Sequence, residues 1–198
     1  MFKPAGIAFI FLSAAVWGQQ DSLVHERKLH KTAVGFEVGG NSLASIIGIT
    51  GTFYPQPDLA LDAGIGASIA GFRPGVRVRY LFLPEKFSPL IYASFKYGFT
   101  YGNRIHEMVD PGNGAHMLGL KIQSAPFSDM GAGAHYMFDN GFYLMATLGW
   151  SSRLGRKNYE WVTDPASGYS APTATAENQT RRLYGSGPGA ALTGGYAF

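Results

Sequence analysis

The sequence predicts an all-β fold, a transmembrane up-and-down antiparallel β-barrel of eight strands, on three observations. From Thr32 onward, apolar residues alternate with polar or small ones, in segments of about the 9–11 residues that a tilted strand needs to cross a bilayer. Short turns join these segments on one side, and longer polar stretches join several of them on the other. The chain also stops on an aromatic, with Leu192, Gly194, Tyr196 and Phe198 sharing one side of the final alternation. A closing barrel strand ends in this way because its apolar face meets lipid and its last ring sits at the membrane boundary.

The first strand is expected over residues 32–39, with Val34, Phe36 and Val38 on one face and Glu37 on the other. The second, residues 43–53, is nearly all apolar or small, and its pattern does not decide its facing. The third, residues 58–70, sets Leu59, Leu61, Ile65 and Ile69 against Asp62, Gly64 and Gly66. The fourth, residues 75–82, sets Val76, Val78, Tyr80 and Phe82 against Arg77 and Arg79. The fifth, residues 89–101, carries Ile91, Phe95, Tyr97, Phe99 and Tyr101 opposite Tyr92, Ser94 and Lys96. The sixth, residues 126–138, opposes Met130, Ala134, Tyr136 and Phe138 to Asp129, Gly131, Gly133 and His135. The seventh, residues 142–153, opposes Phe142, Leu144, Leu148 and Trp150 to Tyr143, Thr147, Ser151 and Arg153. The eighth runs over residues 184–198.

Residues 1–18 read as an export signal: Lys3 is its charged start, Ala5 to Val16 its apolar core, and Val16-Trp17-Gly18 its cleavage region. That core is shorter than the roughly 20 residues of a spanning helix. Residues 19–31 form a polar periplasmic lead-in, and residues 32–198 the barrel. Charged residues make up 15% of the chain, with 27 Gly, 14 Phe and 11 Tyr. Soluble domains carry roughly 25% charge, so this composition suits a wall with one apolar face. Cysteine is absent, as suits an exported chain without disulfide staples. The formal charge of +3 is not gathered into a basic stripe, which argues against nucleic acid as a partner.

Residues 55–57, 83–88 and 139–141 are short turns, whereas residues 102–125 and 154–183 are long. Barrels keep short turns in the periplasm and long loops outside, so both termini are expected in the periplasm. The outer tips at residues 39–42 and 71–74 are short, and residues 115–122 form a strand-like part of the third outer loop or extend the sixth strand. Two aromatic belts follow from position. Phe53, Phe82, Tyr136, Phe138, Phe142, Tyr196 and Phe198 fall near the periplasmic ends, and Phe99, Tyr101, Trp150 and Tyr184 near the outer ends.

With this alternation, these turn lengths and the terminal Tyr196-Ala197-Phe198, residues 32–198 resemble the small eight-stranded outer-membrane barrels, the class of the OmpA transmembrane domain, OmpX and OmpW. The resemblance implies that Leu192, Gly194, Tyr196 and Phe198 are an assembly signal, and that the barrel-assembly machinery is a transient partner. It also implies outer-membrane lipids and lipopolysaccharide as the surroundings.

The inward positions Glu37, Asp62, Arg77, Arg79, Lys96, Asp129, His135 and Arg153 are expected to form a polar network that fills the interior. A gated polar path is the sharper reading of the same residues. Tyr159, Trp161 and Tyr169 in the fourth outer loop offer a binding surface or pack on the loop's base, and no surface partner is identified. His106 and His116 show no metal-ligand spacing, and no cofactor signature is present. Ser152 has no base or orienting acid beside it by register, so lipid-modifying catalysis ranks below the other readings. The expected function is non-enzymatic: a structural or surface-interaction barrel acting through its two long outer loops. A narrow conduit for small or hydrophobic compounds is the alternative, and a lipid A-modifying enzyme comes third.

Overall fold

The computed structural model describes residues 31–43, 45–68, 71–83, 85–100, 105–163 and 168–198. The expected signal segment, all of the lead-in but Lys31, and Tyr101 lie outside the described residues. In chain order the elements are β1 (Thr32–Ser42), β2 (Ser45–Gln56), β3 (Leu59–Ala67), β4 (Gly71–Leu81), β5 (Phe87–Thr100), β6 (Ile105–Asp110) and β7 (Asn113–Ile122). They continue with β8 (Ala125–Met137), β9 (Phe142–Arg153), β10 (Tyr159–Val162), α1 (Ala174–Tyr184) and β11 (Gly187–Ala197).

Eight strands close into a barrel in the order β1-β11-β9-β8-β5-β4-β3-β2. Every neighbouring pair is antiparallel. Closure is made by the C-terminal strand: Val34 faces Tyr196 and Val38 faces Leu192 across β1–β11, and the Phe198 N–H donates to the Thr32 carbonyl at 2.8 Å. A closed barrel leaves no strand edge unpaired, which a lipid environment requires.

The period-two pattern sorts the side chains. Val34, Phe36 and Val38 of β1, Val76 and Val78 of β4, and Leu144 and Leu148 of β9 face outward, Leu148 being 70% exposed. Their intervening neighbours Glu37, Arg77, Arg79, Tyr143 and Met145 are buried. The facing of the second strand is now fixed: Ile47, Ile49 and Phe53 point out, whereas Thr50, Thr52 and Tyr54 point in. Outward rings cluster near the ends. Tyr136–Phe138–Phe142 and Tyr196–Phe198 pack beside the termini, and Phe72 stacks on Phe99 at 4.8 Å toward the other end.

Several expected boundaries shift. β1 runs on to Ser42, because its last residues still pair with β11 and β2. β4 begins at Gly71, so the stretch read as an outer tip is strand; Pro74 is tolerated because the β4–β5 ladder skips Arg73 and Pro74. The eighth barrel strand begins at Gly187, and Tyr184 is the last residue of a helix rather than a member of a strand belt. The two long loops are not irregular. β6 and β7 form a hairpin, β10 adds to it as a third strand in the order β10-β7-β6, and α1 follows. The helix starts where the Thr173 side chain accepts from the Ala176 N–H, and it stops at Gly185, whose N–H donates to the Arg181 carbonyl.

All of this extra structure stands at the end of the barrel away from Thr32 and Phe198. The end beside the termini carries the turns β2–β3, β4–β5 and β8–β9, two of which are joined by a Lys86–Asp139 ion pair.

Candidate functional site

Three layers fill the barrel. Nearest the termini, Ala33, Tyr54, Ala60, Leu81, Leu90, Met137, Tyr143, Met145 and Ala197 make an apolar plug. His135 lies in this layer, with its ring stacked on Tyr143 at 5.3 Å between centroids.

The middle layer is ionic. Asp62 on β3 receives Arg79 Nη2 on Oδ1 at 2.7 Å, and Arg77 Nε and Arg79 Nε on Oδ2 at 2.6 and 2.8 Å. Both arginines come from β4, where alternate positions share the inner face, and register sets Arg77 directly opposite Asp62. Arg77 Nη1 reaches Glu37 Oε2 on β1 at 3.0 Å, and Thr193 Oγ1 of β11 donates to the same oxygen at 3.2 Å. The chain of bonds therefore crosses the lumen. All four charged groups are buried, and a buried charge persists only when it is paired in this manner.

The third layer lies toward the end that carries β6, β7, β10 and α1, which together form a platform. Lys96 Nζ sits 2.9 Å from Asp129 Oδ1, and Ser94 Oγ donates to Asp129 Oδ2 at 2.6 Å. The same ammonium donates to the Asn41 and Ser42 carbonyls at 2.6 and 3.0 Å. It thus pins the β1–β2 tip, whose Leu43 is buried in the barrel mouth above Gly75. Asn41 and Ser45 bracket that tip with positive φ of 53° and 65°. Arg73 lies beside this layer, its guanidinium 4.8 Å over the Phe127 ring.

Of the expected interior residues, Glu37, Asp62, Arg77 and Arg79 share one cluster, Lys96 and Asp129 form a second, and His135 joins the apolar plug. Arg153 differs: at the end of β9 it leaves the lumen and donates from Nη1 to Asn158 Oδ1 at 3.0 Å. Arg73 joins the interior from a stretch that Pro74 makes read as a turn. Ser94 and Thr193 carry the right parity but no charge to mark them, and Thr52 lies on the strand whose facing the pattern does not decide.

The platform has its own small core of Leu120, Ile122 and Tyr159, with Trp161 and Tyr184 packed on it. Its hub is Glu177, in the first turn of α1. Lys157 Nζ donates to Glu177 Oε1 at 2.8 Å, the Tyr159 hydroxyl to the same oxygen at 3.0 Å, and Trp161 Nε1 to Oε2. The Lys157 bond holds the Glu177 carboxyl below its ordinary range, helped by Trp161 and Tyr159 and opposed by partial burial. Burial, together with the bond to Glu177, pushes the Tyr159 phenol up to about 12. Tyr169 donates to Glu107 at 2.5 Å, which raises its own phenol. Asp110, at the end of β6, accepts from the Thr173 hydroxyl at 2.6 Å and the Thr173 N–H at 3.1 Å, tying helix to hairpin. The three loop aromatics therefore each take part in contacts inside the platform, and Tyr159 is buried.

The chain thus folds as a closed antiparallel barrel of eight strands, apolar outside and charged within, an architecture that small outer-membrane barrels share. The chain is similar to the N-terminal β-barrel domain of Pseudomonas aeruginosa OprF, with a TM-score of 0.47 and 14% identity over 84% of this chain and 96% of that one. It is also similar to Acinetobacter baumannii CarO, with a TM-score of 0.43 and 12% identity over 91% of this chain and 100% of that one. No protein-family model matches the chain, and no curated protein sequence does.

Proposed function

We propose that the protein is a non-enzymatic outer-membrane barrel with a closed interior, which presents a folded platform at the cell surface while both termini face the periplasm. One observation carries this reading: the described structure beyond the barrel stands at a single end of a barrel whose lumen holds, in succession, an apolar plug, the Asp62 cluster and the Lys96–Asp129 pair. A barrel of eight strands has room for little more than its own side chains. Here the apolar plug, the Asp62 cluster and the Leu43 tip occupy that room in succession. The outward apolar wall supports the membrane setting, and the short turns at the terminal end support the periplasmic side. In this reading outer-membrane lipids surround the wall, lipopolysaccharide borders the platform, and the barrel-assembly machinery engages Leu192, Gly194, Tyr196 and Phe198 transiently.

The test has two parts. Protein folded into vesicles should migrate faster on a gel before boiling than after, and planar bilayers containing it should stay electrically silent. In whole cells, added protease should cut within residues 102–125 or 154–183 and nowhere near the termini. Steady single-channel openings of the wild type would instead favour the conduit, and cleavage at the short turns would invert the orientation.

A further inference from the structure

Where β9, β11 and α1 meet, a cavity of about 710 Å³ is lined by Trp150, Arg153, Lys157, Tyr159, Arg181 and Pro188, with Glu177 at its back. The charges of its described lining residues do not cancel. Glu177 is the carboxylate among the described lining residues, and its two oxygens already serve Lys157, Tyr159 and Trp161. Arg153 donates from Nη1 to the neutral amide of Asn158, while its Nε is buried without a hydrogen-bond partner. Arg181 donates from Nη2 to the neutral amide of Asn178 at 3.1 Å. Among the described residues, two guanidiniums thus border one cavity without a carboxylate hydrogen-bonded to either.

The opposite wall is apolar and continues onto the outside of the barrel. Trp150 and Pro188 are direct partners in the β9–β11 register, both on the outward face, and Trp150 is 53% exposed. The cavity therefore joins a cationic rim to the surface that meets lipid. A free anion would use only the rim. An amphiphile would use both, and guanidinium groups favour phosphate because their paired N–H donors match its oxygens.

We propose that this cavity is a binding site for a net-anionic amphiphile whose phosphate carries no cationic headgroup, with that phosphate on Arg153 and Arg181 and its apolar part along Trp150 and Pro188. The proposal rests on the membrane reading above, since such a ligand would come from the lipid layer around the barrel.

The experiment titrates full-length protein, folded in a non-ionic detergent, while following the fluorescence of Trp150 and Trp161. The probes are dihexanoyl phosphatidic acid, dihexanoyl phosphatidylcholine and inorganic phosphate. Phosphatidic acid should give a saturable change that the other two do not match. Arg181→Gln should weaken it about tenfold, and Arg153→Gln combined with Arg181→Gln should weaken it further. Gel mobility before and after boiling checks that each variant is folded. Arg181 is exposed, so its single variant decides the matter even if the double variant fails to fold. Equal response to the choline lipid, or no effect of Arg181→Gln, overturns the site. Inorganic phosphate binding as tightly as phosphatidic acid overturns the lipid source. Insertion into phosphatidylcholine vesicles is scored separately: failure there overturns the membrane reading, while the detergent titration still decides the anion site.

Discussion

Arg79 grips Asp62 with two prongs, Nη2 on Oδ1 at 2.7 Å and Nε on Oδ2 at 2.8 Å, and Arg77 shares the second oxygen at 2.6 Å. One carboxylate therefore serves two buried guanidiniums, and Glu37 balances the second charge. Asp62→Asn removes that anion and turns an N–H₂ toward donors. The expected cost is about 3–5 kcal/mol, the range for breaking a buried ion pair from one side. Urea unfolding of the barrel in lipid vesicles measures it. Replacing Asp62 and Arg79 together by Leu should cost less than Asp62→Asn, because no unmatched charge remains between them. Equal stability of wild type and Asp62→Asn would remove this cluster from the account of why the barrel holds.

Lys96 governs the mouth. Its ammonium joins Asp129 to the carbonyls of Asn41 and Ser42, and so holds Leu43 in the lumen. Lys96→Leu keeps the bulk and deletes those bonds. The tip should then unseat: proteolysis near residues 41–45 should speed up, and brief conductance steps should appear in planar bilayers where the wild type gives none. A silent, protease-resistant Lys96→Leu barrel would mean that packing alone seats Leu43.

The alternation of β1, β3, β9 and β11 made the fold legible, because one face had to be apolar throughout and the strands are long. Asp62 and Arg77 could be assigned to the lumen from parity, and their pairing follows from register alone. The platform was not legible. Residues 174–184 carry Thr, Asn, Gln and two Arg on a short helix whose packed face is Ala176, Thr180 and Tyr184, too small and too polar a stripe to announce a period of 3.6. Its supports, Thr173 to Asp110 and Glu177 to Trp161, join residues far apart in the chain. Arg73 is hidden for a local reason: Gly71, Pro74 and Gly75 spell a turn, yet the β3–β4 ladder runs through Arg73 and Pro74 while β5 pairs Gly71, Phe72 and Gly75.

Close approach explains one glycine on β1. A Cβ at Gly35 would stand 2.2 Å from the Tyr143 hydroxyl and 3.0 Å from both Thr193 Cγ2 and Thr50 Oγ1. Gly35→Ala should destabilise the barrel by about 1–3 kcal/mol through overpacking. Tyr143→Phe removes the atom in the way, so the double variant should recover part of the loss. A double-mutant cycle on unfolding free energies reads the coupling, expected at about 0.5–3 kcal/mol for residues in contact. Strict additivity would mean that the two threonines, and not the phenol, set the limit.

Acid should loosen the platform before the barrel. The Lys157 bond, with those from Trp161 and Tyr159, holds the Glu177 carboxyl below its ordinary value of 4.5, against partial burial. Burial works against the charge of Asp110, but its bonds from Thr173 and Gly112 outweigh it and hold that carboxyl below its ordinary 3.8. A carboxyl whose folded value is depressed adds stability above its unfolded value and loses it as pH falls through the folded one. The contribution of Glu177 is therefore whole at neutral pH, begins to fade near 4.5 and is gone below its depressed folded value; Asp110 follows, starting nearer 3.8. Amide exchange in residues 174–184 should rise across that window, together with a change in Trp161 emission, while the gel mobility of the barrel stays folded. Glu177→Gln should exchange faster already at pH 7 and should lose the upper part of the acid transition, leaving the part due to Asp110. An acid transition identical in Glu177→Gln and wild type would show that Glu177 is not the group that locks the helix to β10.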